Sequence, residues 1–84
     1  MIRYRCWDPD TGEYEDGRDI VAVDPEYAAI KFARLYDQRS ADYGYAKDGG
    51  EVAVAFEGVE IARFRVTGEQ DIVYTARQIP GESP

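Results

Sequence analysis

Hydrophobic and polar positions alternate along the start of the chain: Ile2, Tyr4 and Cys6 fall between Arg3, Arg5 and Trp7. A period of two predicts a strand with one buried face over residues 2 to 7. Asp8-Pro9-Asp10-Thr11-Gly12 follows, where Pro9 presets φ and Gly12 accepts positive φ, so the chain is expected to reverse as a hairpin. The returning strand is expected to begin near Glu13, to be disturbed by a bulge or second turn at Asp16-Gly17, and to resume through Arg18 to Val23.

The period then changes. Asp24-Pro25-Glu26 supplies a capping carboxylate, proline at the first helical position and an acid in the first turn. The helix that starts at Pro25 places Ala28, Ala29, Phe32, Ala33, Leu35 and Tyr36 on one side, with Glu26, Lys31, Arg34, Asp37 and Gln38 toward the other. Asp37 to Gly50 reads as the helix end and a loop, broken by Tyr43-Gly44-Tyr45 and Asp48-Gly49-Gly50.

Alternation returns in Val52, Val54 and Phe56 and in Ala62, Phe64 and Val66, with Gly58 marking the turn of a second hairpin. Thr67 to Asp71 predicts another turn, and Ile72 to Ile79 a last strand. The expected order is ββαβββ, an α+β domain with one helix on an antiparallel sheet of four or five strands. Residues 1–79 form the expected single domain and 80–84 a flexible tail.

Eighty-four residues fit one domain with a thin core, and 44% hydrophobic content is too apolar for intrinsic disorder. Charge sharpens the picture. Between Asp8 and Glu26 stand eight carboxylates (Asp8, Asp10, Glu13, Glu15, Asp16, Asp19, Asp24, Glu26) against Arg18 alone, which accounts for the whole formal net charge of −7. Asp24 and Glu26 have a sufficient structural role at the helix start, where the dipole and free amides favour negative charge. The remaining six, Asp8, Asp10, Glu13, Glu15, Asp16 and Asp19, are the expected partner-binding residues, presented on one hairpin to a protein with a basic surface. The competing reading makes them protective, since charge on an exposed edge strand blocks pairing with other chains and keeps a small domain of any role soluble.

Absent residue types exclude much chemistry. With no histidine, Ser-His and Cys-His nucleophile systems and His-based zinc sites are ruled out. Lys31 and Lys47 are the only amines of lysine type and both lie in polar settings, so no catalytic residue is expected and the chain reads as non-enzymatic. Cys6 reads as a small core residue, and a single cysteine cannot form an internal disulfide, which fits a reducing compartment. Asp8 to Glu13 superficially has the alternate acids of a calcium loop. The pattern fails where Gly12, Glu13 and Asp19 stand, so neither a metal nor any other cofactor is expected.

No apolar run approaches the length of a membrane span or a secretory signal, so the expected location is cytoplasmic. A pI near 4.4 argues against ordinary affinity for nucleic acid or anionic lipid. The alternative binding face runs the other way: Arg3, Arg5, Trp7, Arg63 and Arg65 are expected on the helix-free side of the sheet, as in sheets that hold single-stranded nucleic acid by phosphate contact and base stacking. The competing assignment pairs these arginines with Glu57, Glu60 and neighbouring acids, their stems covering Trp7. Tyr43 and Tyr45 are candidate loop anchors for a partner. Tyr27 and Ile30 lie off the helix's core stripe and, with an open sheet face and two sheet edges, offer surfaces for a homodimer.

From Ile2 to Tyr36 the chain runs through a short strand, an acidic turn, a second strand ending Val21-Ala22-Val23-Asp24 and an alanine-rich amphipathic helix. This layout resembles small acidic proteins encoded by phages and proteobacterial mobile elements, among them anti-CRISPR proteins. The resemblance carries no individual site residue over. It implies an inhibitor that occupies a surface of a larger complex and is encoded to act in a host cytoplasm, with the arginine content of the strands as its departure from a pure nucleic-acid mimic.

Overall fold

A computed structural model describes residues 1–40, 44–68 and 74–79. Strand β1 (Ile2–Trp7) is followed by a single 3-10 turn (Tyr14–Asp16) and β2 (Arg18–Ala22). Helix α1 (Pro25–Ser40) and the short α2 (Gly44–Asp48) lead to β3 (Gly50–Phe56), β4 (Val59–Gly68) and β5 (Tyr74–Gln78). The five strands form one antiparallel sheet in the order β2-β1-β3-β4-β5, with α1 touching all five on one face. This is the expected α+β fold. The crossover through α1 and α2 carries the chain from the β2 edge past β1, so β1 ends between its hairpin partner and β3.

The helix forms where its cap dictates. Asp24 Oδ1 accepts the Tyr27 amide at 2.7 Å, the Asp24 carbonyl accepts the Ala28 amide at 3.1 Å, and Pro25 opens the first turn without needing a donor partner. Ala28, Ala29, Phe32 and Ala33 are buried against Tyr4, Cys6, Ile20, Ala22, Val52, Val54, Phe64 and Val66, the inward residues of the sheet. Alanines let the helix axis come close, and Phe32 fills the remaining depth.

Several expectations are corrected. The segment from Glu13 to Asp16 is not strand, because its residues close a 3-10 turn, and β2 begins only at Arg18. Asp37 to Gly50 is not loop throughout: α1 continues to Ser40, and Gly44–Asp48 is helical. Asp37 is fully buried, whereas Leu35 and Tyr36, placed by periodicity in the core stripe, are 39% and 37% exposed. At this end of α1 the contacts are with α2: Asp37 Oδ1 accepts the Tyr45 amide, and the Tyr36 ring meets the Tyr45 ring edge-on at 5.5 Å. The strand expected over 72–79 is seen from Tyr74 to Gln78, while Tyr43, the turn residues after Gly68, Ile72, Val73 and the tail 80–84 lie outside the described residues.

Between β3 and β4 the register shifts, with Val54 opposite Ala62 but Ala55 opposite Glu60, so Ile61 is the extra residue of a bulge. The connection is a two-residue turn in which Glu57 and Gly58 both have positive φ, 52° and 84°. At the sheet's outer β2 edge, Lys31 Nζ donates to the Val21 carbonyl at 2.7 Å, occupying an acceptor that another strand would use.

Candidate functional site

The acidic connection from Asp8 to Asp19 is built by its own backbone. The Asp8 carbonyl accepts the amides of Thr11 (3.2 Å) and Gly12 (2.9 Å), while Asp8 Oδ1 accepts the amide of Asp10 at 2.8 Å. This is the local side-chain turn to which aspartate is suited. One turn of 3-10 helix follows, closed by Asp16 N–H to the Glu13 carbonyl (2.8 Å) and by Asp16 Oδ2 accepting the Glu13 amide (2.9 Å). Gly17 then passes so near β1 that an added Cβ would lie 2.6 Å from the Cys6 carbonyl oxygen. Only glycine permits that approach.

Arg5 clamps the turn onto the sheet. Its Nε donates to the Tyr14 carbonyl (3.0 Å), Nη2 to the Glu15 carbonyl (3.1 Å) and Nη1 to Asp19 Oδ1 (3.2 Å). The planar guanidinium fork satisfies two carbonyls at the end of the 3-10 turn together with a carboxylate on β2, directly opposite in the register. Above the same side chain lies the Tyr14 ring, 5.3 Å from the guanidinium carbon, which also meets Trp7 edge-on at 5.5 Å. Trp7 is thereby only 7% exposed and covers Ala53 and Ala55, a second small core on the helix-free face.

The far end of the connection is tied to α2. Tyr45, 3% exposed, donates its hydroxyl to Asp8 Oδ2 at 2.7 Å and also lies 3.1 Å from the Glu51 carbonyl. Its amide donates to Asp37 Oδ1 at 3.1 Å, so the buried carboxylate serves an amide in the first turn of α2. Burial and the neighbouring Asp8 carboxylate hold the Tyr45 phenol protonated far above its ordinary range. Burial likewise pushes the Cys6 thiol up to about 12, which removes its nucleophilic form at neutral pH.

Of the six expected partner-binding carboxylates, Asp8, Asp16 and Asp19 are therefore engaged within the fold. Asp10, Glu13 and Glu15 are exposed, and the carboxylates of Asp10 and Glu15 make no hydrogen bond or ion pair among the described residues. They flank Tyr14, 40% exposed, on a backbone fixed by Arg5. Beside them opens a cleft of about 340 Å³ whose walls include Trp7, Asp8, Asp16, Arg18, Tyr36 and Arg39.

The alternative face is divided differently from the expectation. Arg5 and Trp7 are held under the acidic connection, and Arg63 pairs with Glu60 through Nε and Nη2. Arg3 and Arg65 remain exposed. Of the two tyrosine anchors, Tyr45 is a core residue and Tyr43 lies outside the described residues. Sequence reasoning missed the parts played by Asp37 and Tyr45. For Asp37 the available signal was an acid in the last turns of a helix, where the dipole disfavours it unless a donor compensates.

Among the described residues no three His, Cys, Asp or Glu side chains gather as a metal-ligand set. No described helix is long and apolar enough to cross a membrane. Compared with known proteins, the chain gives no significant match to any family model, curated protein or solved structure.

Proposed function

We propose that the protein is a non-enzymatic binding module that docks the connection between Asp8 and Asp19 on a basic surface of a protein partner. The observation that carries this reading is the ordered connection: Arg5 clamps the backbone at Tyr14 and Glu15, the Asp8 and Asp16 carboxylates fix the amides of Asp10 and Glu13, and Asp10, Glu13, Tyr14 and Glu15 are all exposed. A preordered loop loses little entropy on docking, and tyrosine flanked by carboxylates combines apolar contact area with charge complementarity. Basic surfaces that grip phosphate are the natural counterpart. The module then acts as an inhibitor of the phage type, covering such a surface on a nucleic-acid-binding complex. Single-strand binding by the arginine face is less well supported, because Arg5, Trp7 and Arg63 are already engaged within the fold.

The test is affinity capture by the immobilised chain in parallel with Asp10→Lys/Glu15→Lys, two exposed sites without structural partners among the described residues. The expected result is a set of basic proteins retained by the unaltered chain, lost on the variant, and released by roughly 0.5 M salt, where screening falls to about 4 Å. Retention of the same proteins by both, with no salt dependence, overturns the proposal.

A further inference from the structure

The helix-free face carries, at its β5 side, an arrangement that the acidic connection does not explain. In the β4–β5 register Arg65 stands directly opposite Arg77, and one same-face pair further along Thr67 stands opposite Thr75. Alternation puts all four side chains on the face away from Phe64 and Val66, which are buried under α1. Like charges directly opposite each other destabilise a sheet. Neither guanidinium makes a hydrogen bond or ion pair among the described residues, and Glu51, opposite Arg65 on β3, forms no ion pair with it.

The Thr67 and Thr75 hydroxyl oxygens are 3.1 Å apart. One hydroxyl donates to the other, which leaves one O–H free to donate outward. Gly49 borders the group: an added Cβ would stand 3.1 Å from Thr67 Cγ2 and 3.5 Å from Arg65 Nη2, so glycine keeps that rim low. In this register two arginines and two threonines share a block of sheet about 5 Å wide and about 7 Å long, from which two guanidinium groups and a free hydroxyl can reach one tetrahedral oxyanion.

We propose that Arg65, Arg77, Thr67 and Thr75 form a binding site for a phosphate monoester group. Two positive charges match its near-dianionic state at neutral pH, and guanidinium forks suit its oxygens. A nucleic-acid backbone fits less well, since it needs a track of cations. The next arginine along β4, Arg63, is already paired with Glu60, and the net charge of −7 opposes a polyanion. The site shares no residue with the acidic connection, so it stands or falls independently of the docking reading.

The test is an NMR titration of the labelled full chain with inorganic phosphate at a constant ionic strength of about 0.15 M, with sodium chloride balancing the added salt. Saturable amide shifts confined to residues 65–67 and 75–77 are expected. Arg77→Gln should weaken binding about tenfold, the equivalent of about 1.4 kcal/mol, and Glu51→Gln should tighten it. Because Arg77→Gln removes a like-charge pair, its melting temperature should equal or exceed that of the unaltered chain, which separates lost binding from lost fold. Parallel arms with a nucleoside monophosphate and a phosphoserine peptide distinguish the sources of the monoester. Shifts that do not saturate, or that persist unchanged in Arg77→Gln, overturn the site. Tighter binding of a single-stranded oligonucleotide at the same amides overturns its assignment to a monoester.

Discussion

The Tyr45 hydroxyl donates to Asp8 Oδ2 at 2.7 Å across 37 positions of chain, joining the first residue after β1 to the short helix before β3. Asp8 also accepts the Asp10 amide and is only partly buried, so removing the phenol oxygen leaves a carboxylate that water can still reach. Tyr45→Phe should therefore cost about 1 to 2 kcal/mol rather than the full penalty of an orphaned buried charge, lowering the melting temperature by roughly 5 to 10 °C. Urea denaturation of the single variant measures it. Asp8→Ala should cost more, because the Asp10 turn is lost as well, which makes Asp8 a poor choice for probing partner binding.

Arg5 makes its three contacts through three different guanidinium nitrogens, and lysine offers one point charge in their place. Arg5→Lys should loosen the 3-10 turn while leaving the sheet intact. Two readouts follow: faster hydrogen exchange at Asp16 and Gly17, and a red-shifted emission from Trp7, the sole tryptophan, as Tyr14 lifts away. A stability loss of about 1 to 2 kcal/mol should accompany them.

Local signals in the chain anticipated the elements whose causes are local. The Asp24-Pro25 cap, the alternation in β1 and β3, and the Gly58 turn each depend on residues within a few positions, and each stands where that chemistry places it. The acidic connection was legible in charge but not in form. Glu13 to Asp16 has strand-compatible spacing; contacts between Glu13 and Asp16 close it into a 3-10 turn, and Arg5, nine positions before Tyr14, holds that turn on the sheet. Asp37 was misplaced because its burial depends on the Tyr45 amide, supplied by a second helix that periodicity did not reveal. Of the three candidate carboxylates absorbed into folding, Asp8 and Asp19 meet Tyr45 and Arg5, distant partners that spacing alone could not name, while Asp16 meets the local Glu13 amide.

Glu57 at φ 52° and Gly58 at φ 84° form a turn in which both central residues adopt the left-handed region, a geometry that favours Asn-Gly. Glutamate there bears a conformational cost that no hydrogen bond or ion pair of its side chain offsets among the described residues, and Gly58 has open space around it. Glu57→Asn should stabilise the domain by about 0.5 to 1 kcal/mol, seen as a rise of roughly 4 °C in melting temperature. Glu57→Val should do the reverse, since a β-branched side chain resists positive φ.

Alkaline pH should destabilise this chain in two stages. Burial raises the Cys6 thiol from 9.0 to about 12, so between those values the unfolded chain releases a proton that the folded chain keeps. Unfolding is then favoured as pH rises: the unfolded state binds fewer protons, and stability falls by up to about 1.4 kcal/mol per pH unit from pH 9 onward. Tyr45 adds to this above its ordinary value of 10.0, because burial and Asp8 keep its phenol protonated in the fold. Chemical denaturation at successive pH values from about 8 to about 11 should show a slope that begins near pH 9 and steepens above 10. Cys6→Ala should remove the first stage and Tyr45→Phe the second, each after its own loss of baseline stability. A profile that stays level to about pH 11 in the unaltered chain would contradict the burial of both groups.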